Sequence, residues 1–450
     1  MTTVVTLLLL ALAGLPLAWA LVGRRAEVVP LAPLLGAGFL ALAAAVEVAV
    51  GGSEAALTTA ALVLCFLVGV GRLALRRPPG AAPLRHELAL LAGPLLAVAA
   101  TAGTLRRFDV AYDGRSIWFF HARMLVGGQA TYLDRAHMFP DLHSDYPPLL
   151  PAAVAFCWRI AGGVDYRAGQ LTVAGLVACA TALAALGVAR AVPGRLAPLA
   201  ALLSAALAYG VWDAYAANGY ADALSAALVV AAAVRGLLGR TDAVVVSCLA
   251  LGAATKQEGL AFGLVVLVVL AVVEVAADRR RVGLHLLALA LMLPWQVVVR
   301  WQDLGSAFKG ISRVHGQGPV YRLGKTLDQL APTLIVASLG MLLLVLACLL
   351  VPRRRAASLF AAWVGILVGL LVIYMTGPLD IQYWLSTSLE RTSMALRAIG
   401  VLAAVYTAGA AWQVLTEPGR RAAPTARTED GSGSPDGTAT APPPGRTPSA

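Results

Sequence analysis

A carboxylate can take a proton from a hydroxyl, and a lysine or arginine can hold an anion; the polar residues of this chain offer those two chemistries. The longest polar stretch, Phe108 to Pro151, carries Asp109, Asp113, Asp134, Asp141, Asp145, His121, His137 and His143, and ends in the helix-stopping Tyr146-Pro147-Pro148. Three shorter ones follow: WDAYAANGYAD with Asp213 and Asp222, Ala254 to Gly259 with Lys256 and Glu258, and Asp380 to Arg391. Each residue also has an ordinary reading. Asp113 at a helix start suits the helix dipole and, as a cap, contributes about 1 kcal/mol. Asp222 is a solvated aspartate at a membrane boundary, or one that faces a cavity or partner. Lys256 and Glu258 pair with each other, or Lys256 binds a lipid phosphate as a point charge. Arg391 snorkels, or holds a phosphate. Tyr383 and Trp384 read as interface anchors. The histidines at 137, 143 and 315 lack metal-ligand spacing, the five cysteines form no CxxC, and no GxGxxG or Walker loop supports a nucleotide site.

The elements that must position these residues are apolar helices. The 450-residue chain is 59% hydrophobic and 13% charged, about half the charge of a soluble domain. Its apolar runs are long and continuous, which predicts an all-α polytopic membrane protein rather than a barrel. Thirteen spans are expected, at 3–22, 30–50, 55–74, 87–104, 168–189, 196–212, 219–238, 242–255, 259–277, 282–300, 333–351, 356–376 and 394–415. The first 22 residues lack a basic leader and read as a retained helix. The net charge of +11 does not point to nucleic acid, because the arginines cluster at helix ends. One orientation puts all of these clusters in the cytoplasm, provided that 147–163, broken by prolines, does not cross. The N-terminus then lies outside and the C-terminus inside. The polar segments 105–166, 212–222, 256–258, 301–332 and 377–393 collect on the outer face. The stretch Ile117 to Val126 is expected to rest in the interface, with Ile117, Phe120, Met124 and Leu125 on one face, Arg115, His121 and Arg123 on others, and Trp118 and Phe119 at headgroup depth. Four units result: four helices over 1–104, an outer loop with juxtamembrane helices over 105–166, a helical bundle over 167–416, and a disordered cytoplasmic tail over 417–450.

Four motifs in order resemble the GT-C superfamily of integral membrane glycosyltransferases, closest to its bacterial protein mannosyltransferase and aminoarabinose transferase members. They are Asp113-Gly114-Arg115-Ser116-Ile117-Trp118 with His121-Ala122-Arg123; Asp145 to Pro151 (DYPPLLP); Asn218 to Leu224 (NGYADAL); and Thr255-Lys256-Gln257-Glu258-Gly259. They span about 105–260. The loop that usually follows the family's first helix here follows the fourth apolar run, so three runs are added in front, and His121 replaces a common basic residue. The resemblance implies inverting transfer of a sugar from a polyprenyl phosphate, on the outer face of the plasma membrane, to a glycan, lipid or protein acceptor. For that chemistry Asp113 is the candidate base with Asp109 in reserve, Lys256 and Arg391 are candidates for the phosphate, and Asp222 orients the acceptor or binds a metal; Glu258, Tyr146 and His121 complete the substrate-binding set. The second half of the chain aligns with no family motif, so Arg391 rests on its own chemistry and not on the resemblance. The resemblance fixes no cofactor: many such transferases need no metal while oligosaccharyl transferases do, so a divalent ion (Mg²⁺ or Mn²⁺) stays open. A transporter of polyprenyl-linked intermediates and a non-catalytic partner with the same fold are the alternatives.

Overall fold

The computed structural model describes residues 1–76, 84–104, 109–139, 143–275, 278–305, 317–347 and 353–416. The tail from Glu417 with Arg420 and Arg421 lies outside them, as do Arg77, Phe108, Asp141, His315 and Cys348. Leucine, valine and alanine runs satisfy their backbone groups internally, as a bilayer requires, and among the described residues every regular element is helical. In chain order these are α1 (Thr2–Val22), α2 (Val28–Val50), α3 (Glu54–Leu75), α4 (Leu84–Leu90), α5 (Ala92–Thr104), α6 (Phe119–Val126), α7 (Gly128–Met138), α8 (Leu149–Ala161), α9 (Tyr166–Ala191) and α10 (Ala197–Ala216). They continue with α11 (Asp222–Leu238), α12 (Ala243–Ala253), α13 (Gln257–Val275), α14 (Val282–Met292), α15 (Pro294–Trp301), α16 (Pro319–Leu346), α17 (Arg353–Thr376), α18 (Ile381–Thr392) and α19 (Met394–Thr416). Eleven helical segments among the described residues are long and apolar enough to cross a membrane. The chain is therefore an all-α, multi-pass membrane protein.

Polar contacts gather at the two ends of the bundle. At one end Arg190, on the last turn of α9, bonds Glu27 at 2.7 Å and Glu87 at 2.5 Å, and Arg235, on the last turn of α11, bonds Glu27 and Asp242 at 2.7 Å each. Here cations sit at helix C-termini and Asp242 caps the start of α12, both as the helix dipole favours. At the other end Leu149 N donates to Ala254 O at 2.9 Å, Gln302 reaches Ala49 O at 2.6 Å and Gln317 reaches Asp380 at 2.5 Å. The helix α8 starts at that end and finishes there too, through an ion pair of Arg159 with Glu54. It turns back without reaching the basic end, as its prolines predict.

Close packing rests on small residues. Every one of the 17 residues of α11 is buried, so this helix is the axis of the bundle. A Cβ on Gly340 of α16 would lie 2.0 Å from Gly400 O of α19. Two element boundaries differ from expectation. The run 282–300 breaks at Pro294 into α14 and α15. The loop expected over 301–332 is helical from Pro319, because Arg322 is buried by donating to Tyr374 O and Leu379 O at 2.8 Å each. Both carbonyls sit near the exposed C-terminal end of α17, so a charge that reads as loop completes a helix-to-helix joint.

Replacing Gly400 with Val puts a side chain where Ala337 Cα is 2.5 Å from the Cβ position. The expected cost is about 3 kcal/mol, read as loss of the monodisperse peak in detergent gel filtration, with Gly283→Val, which meets nothing within 4 Å, as the control.

Candidate active site

The site is built where α11, α13, α18 and the segment ahead of α6 meet. Ala111 N donates to Asn218 O at 3.0 Å. Gly219 takes a left-handed turn at φ +86°, which favours glycine. A Cβ on Gly114 would lie 2.7 Å from Asn218 O. These small residues let the two polar stretches touch. From Gly114 to Trp118 the chain makes a π turn, with Phe119 N donating to Gly114 O. Asp113 makes no cap hydrogen bond at this turn; its Oδ2 instead accepts from Arg391 Nη1 at 2.6 Å.

Arg391 is held on α18 by Nε and Nη2 donating to Thr387 O at 3.1 and 2.9 Å. Its guanidinium lies 4.8 Å over the Tyr220 ring, a cation–π contact, and 3.8 Å from Asp222 Oδ2. Asp222 is the first residue of α11, and its side chain is 3% exposed. Its other oxygen accepts from Lys256 Nζ at 2.7 Å, and Lys256 also pairs with Glu258 at 3.0 Å. Lys256 stands in the turn between α12 and α13, which close packing tightens: a Cβ on Gly259 would meet Gly252 O at 2.1 Å. Burial alone would pull the Lys256 ammonium down, but Asp222 and Glu258 outweigh it and hold the group charged.

An alternating series results: Asp113, Arg391, Asp222, Lys256, Glu258. The last four line a cavity of about 20 Å³ together with Ser225 and Phe262, room for about one water molecule. Asp222 Oδ2 and Glu258 Oε2 are buried there without a hydrogen-bond donor. Tyr146 closes the site from the side, stacked on Trp118 at 5.2 Å and on His143 at 4.4 Å. The carbonyl of Asp145 accepts from Gln257 at 2.7 Å and from Trp295 at 2.8 Å. Burial, reinforced by Glu258, pushes the Asp145 carboxyl up to about 6.

The structure thus brings together Asp113, Asp222, Lys256, Glu258 and Arg391, with Tyr146 alongside. Asp109 is exposed and makes no ion pair among the described residues. His121 is fully buried, its ring edge-on to Tyr132 at 5.9 Å. The expected interfacial placement of Trp118 and Phe119 is overturned: both are buried, Trp118 on Tyr146 and Phe119 against Trp158 and Tyr166 at 5.7 Å each. The π turn shifts the helical register, and α8 covers the face that would otherwise meet lipid. Asp222 is not solvated, and Lys256 bonds Asp222 before Glu258. Trp384 packs on Tyr374 at 5.1 Å, while Tyr383 stays exposed. Residues not anticipated are Tyr220 beneath Arg391, and Tyr215, which stacks on Tyr220 and donates to Glu390 at 3.0 Å. Their five-residue spacing beside Asp222 was the available signal. As for a divalent ion, no group of three metal-ligating side chains exists among the described residues, and the carboxylates of the series already face cations. The donor set does not fit a metal, so no step is derived through one.

A comparison with models of protein families, with curated proteins and with solved structures finds no match.

Lys256→Ala should destabilise the fold by about 3–5 kcal/mol, since it strands buried Asp222, and Lys256→Ala/Asp222→Ala should recover most of that; melting temperatures in detergent read the cycle. The Asp145 carboxyl is raised from 3.8 to about 6, so its contribution to stability is full below pH 4 and falls as pH rises through 6. Asp145→Asn should therefore melt higher than the parent at pH 8 and close to it at pH 4.

Proposed function

We propose that the chain is a glycosyltransferase of the GT-C type, moving a sugar from a polyprenyl phosphate to an envelope glycan, lipid or protein on the outer face of the plasma membrane. The observation that carries this reading is the chain of contacts from a partly exposed carboxylate, Asp113, to Arg391 and through Asp222 to Lys256, drawn from segments far apart in the sequence. Base and phosphate clamp are the two parts such a transfer needs. The four motifs that resemble the family supply most of these residues, and Arg391 joins them from outside the motifs.

The same reading takes thirteen crossings, with the N-terminus outside and the C-terminus in the cytoplasm. Two facts support it. The short helices α11 and α12 run between the same two ends of the bundle as the longer ones, from Asp222 to Arg235 and from Asp242 to Ala254. The arginines at the ends of α9 and α11, in the turn before α14 and at the start of α17 gather at the end away from Asp113, in the positive-inside pattern. Nucleotide sugars are absent outside, which makes a lipid-anchored donor the fitting one.

The chemistry follows from the pairs. In the resting arrangement each cation is neutralised by carboxylates. An entering lipid phosphate takes Arg391 from Asp113 and joins Asp222 on Lys256, because a phosphate offers more acceptor oxygens and charge. Asp113 is thereby released beside the incoming acceptor. The acceptor hydroxyl oxygen bonds the anomeric carbon from the face opposite the phosphate. The bond between that carbon and the phosphate oxygen breaks, its electron pair stays on the phosphate, and the hydroxyl proton passes to Asp113. Asp222 stays on Lys256 and keeps its ammonium aimed at the leaving group. The donor phosphate thus unlocks the base, which protects the sugar–phosphate bond until an acceptor has been admitted.

Asp113→Asn should lower transfer by about a thousandfold with unchanged melting temperature, measured as release of polyprenyl phosphate from a labelled donor in membranes. A variant that transfers at the parental rate would remove Asp113 from the mechanism; envelope glycans lost from a deletion strain would name the acceptor.

A further inference from the structure

The opposite end of the bundle holds a second charged cavity, of about 300 Å³, lined by the ends of α11, α13 and α17 and the turn before α14. Four arginines line it, Arg240, Arg281, Arg354 and Arg355, against two carboxylates, Glu274 and Asp278. Both carboxylates are engaged. Glu274 accepts from Thr241 N at 2.6 Å and pairs with Arg281 at 3.5 Å and His285 at 3.6 Å. Asp278 caps the turn by accepting from Arg280 N at 3.1 Å and lies 3.7 Å from Arg281. The other three guanidiniums have no carboxylate partner among the described residues. Arg354 donates to Val273 O, Arg355 bonds the Tyr406 hydroxyl, and Arg240 is exposed without an ion pair. The first turn of α17 also points its free N–H groups toward this end, which favours an anion.

Three cations around a cavity, with no counter-charge of their own, describe an anion site. The surface beside it says what carries the anion. Val272, next to the lining residue Val273, is 69% exposed, Val268 one turn along α13 is 59% exposed, and Phe360, two residues past the lining Ser358 on α17, is 39% exposed. An exposed apolar strip runs from the arginines along helices of membrane-crossing length. We propose that this cavity binds the head group of an anionic phospholipid, with its acyl chains along α13 and α17. Basic pockets between membrane helices take such head groups. The ligand is a phosphodiester with net negative charge; a zwitterionic lipid brings an ammonium that the arginines repel. This site is separate from the cluster around Asp113, since α13 alone puts about 28 Å between its two ends.

The test uses the full chain purified in detergent and followed by thermal melting. Added phosphatidylglycerol should raise the melting temperature in a saturable way, while phosphatidylcholine should not. Arg240→Ala/Arg354→Ala should weaken the phosphatidylglycerol effect by roughly thirtyfold in concentration, and Arg240→Lys/Arg354→Lys should restore most of it. Arg240→Ala alone, at an exposed residue, keeps the test decisive where the double variant fails to fold, and should weaken binding about fivefold. Equal effects of the two lipids, or an unchanged response in the alanine variants, would overturn the proposal. Inorganic phosphate or glycerol phosphate matching the lipid at the same concentration would overturn it in favour of a soluble anion.

Discussion

A charge buried in a bilayer-sized apolar bundle survives only beside an opposite charge or within hydrogen bonds that satisfy it. The series Asp113, Arg391, Asp222, Lys256, Glu258 obeys that constraint at every step, and the end of the bundle that holds Asp113 is organised by it. Asp222 opens the axial helix and is buried, so Lys256 must be within reach. Lys256 is buried in turn, which fixes the turn between α12 and α13. Arg391 bridges Asp222 to Asp113, which draws a helix from the end of the chain against a segment 278 residues earlier. Removing Asp222 or Lys256 leaves a buried neighbour in a low dielectric without its nearest partner. The same arrangement leaves every charge formed and ready, at no cost beyond what the series already offsets.

Much of this was legible in the sequence, for a physical reason. Helices in lipid satisfy their own backbones, so apolar length and polar interruption mark elements directly. The prolines of 147–163 foretold a helix that returns to its own end, and the motifs around Asp113, Asp222 and Lys256 sit where polar stretches were expected to converge. What failed were readings that depend on neighbours. Helical periodicity put Trp118 and Phe119 toward headgroups, but the π turn changes the register, and Trp158 and Tyr166 supply an aromatic bed that no local pattern encodes. Arg322 looked like loop because a lone arginine in an apolar region is costly; two carbonyls from the end of α17 remove the cost. The spacing of Tyr215 and Tyr220 marks a pair beside Asp222, but the role of Tyr220 depends on Arg391 arriving over its ring from a distant segment.

The bundle has a second organising set of charges at its other end, joining Glu27, Glu87, Arg190, Arg235 and Asp242. The axial helix α11 carries Asp222 at its first residue and Arg235 in its last turn. It is therefore fastened at both ends by ion pairs and packed on all sides between them. The cluster around Asp222 is held by a rigid strut.

The π turn at Gly114–Trp118 has a further consequence. Such a turn is an α-helix with one residue too many. Deleting one residue within it would restore the α-helix, swing Asp113 by about 100° around the axis and lift it by about 1.5 Å, away from Arg391. The position of the acid is thus quantised, set by counting residues rather than by the volume of any side chain. Related chains that place their acid differently would be expected to differ here by insertion or deletion, a kind of divergence that substitution alone cannot mimic.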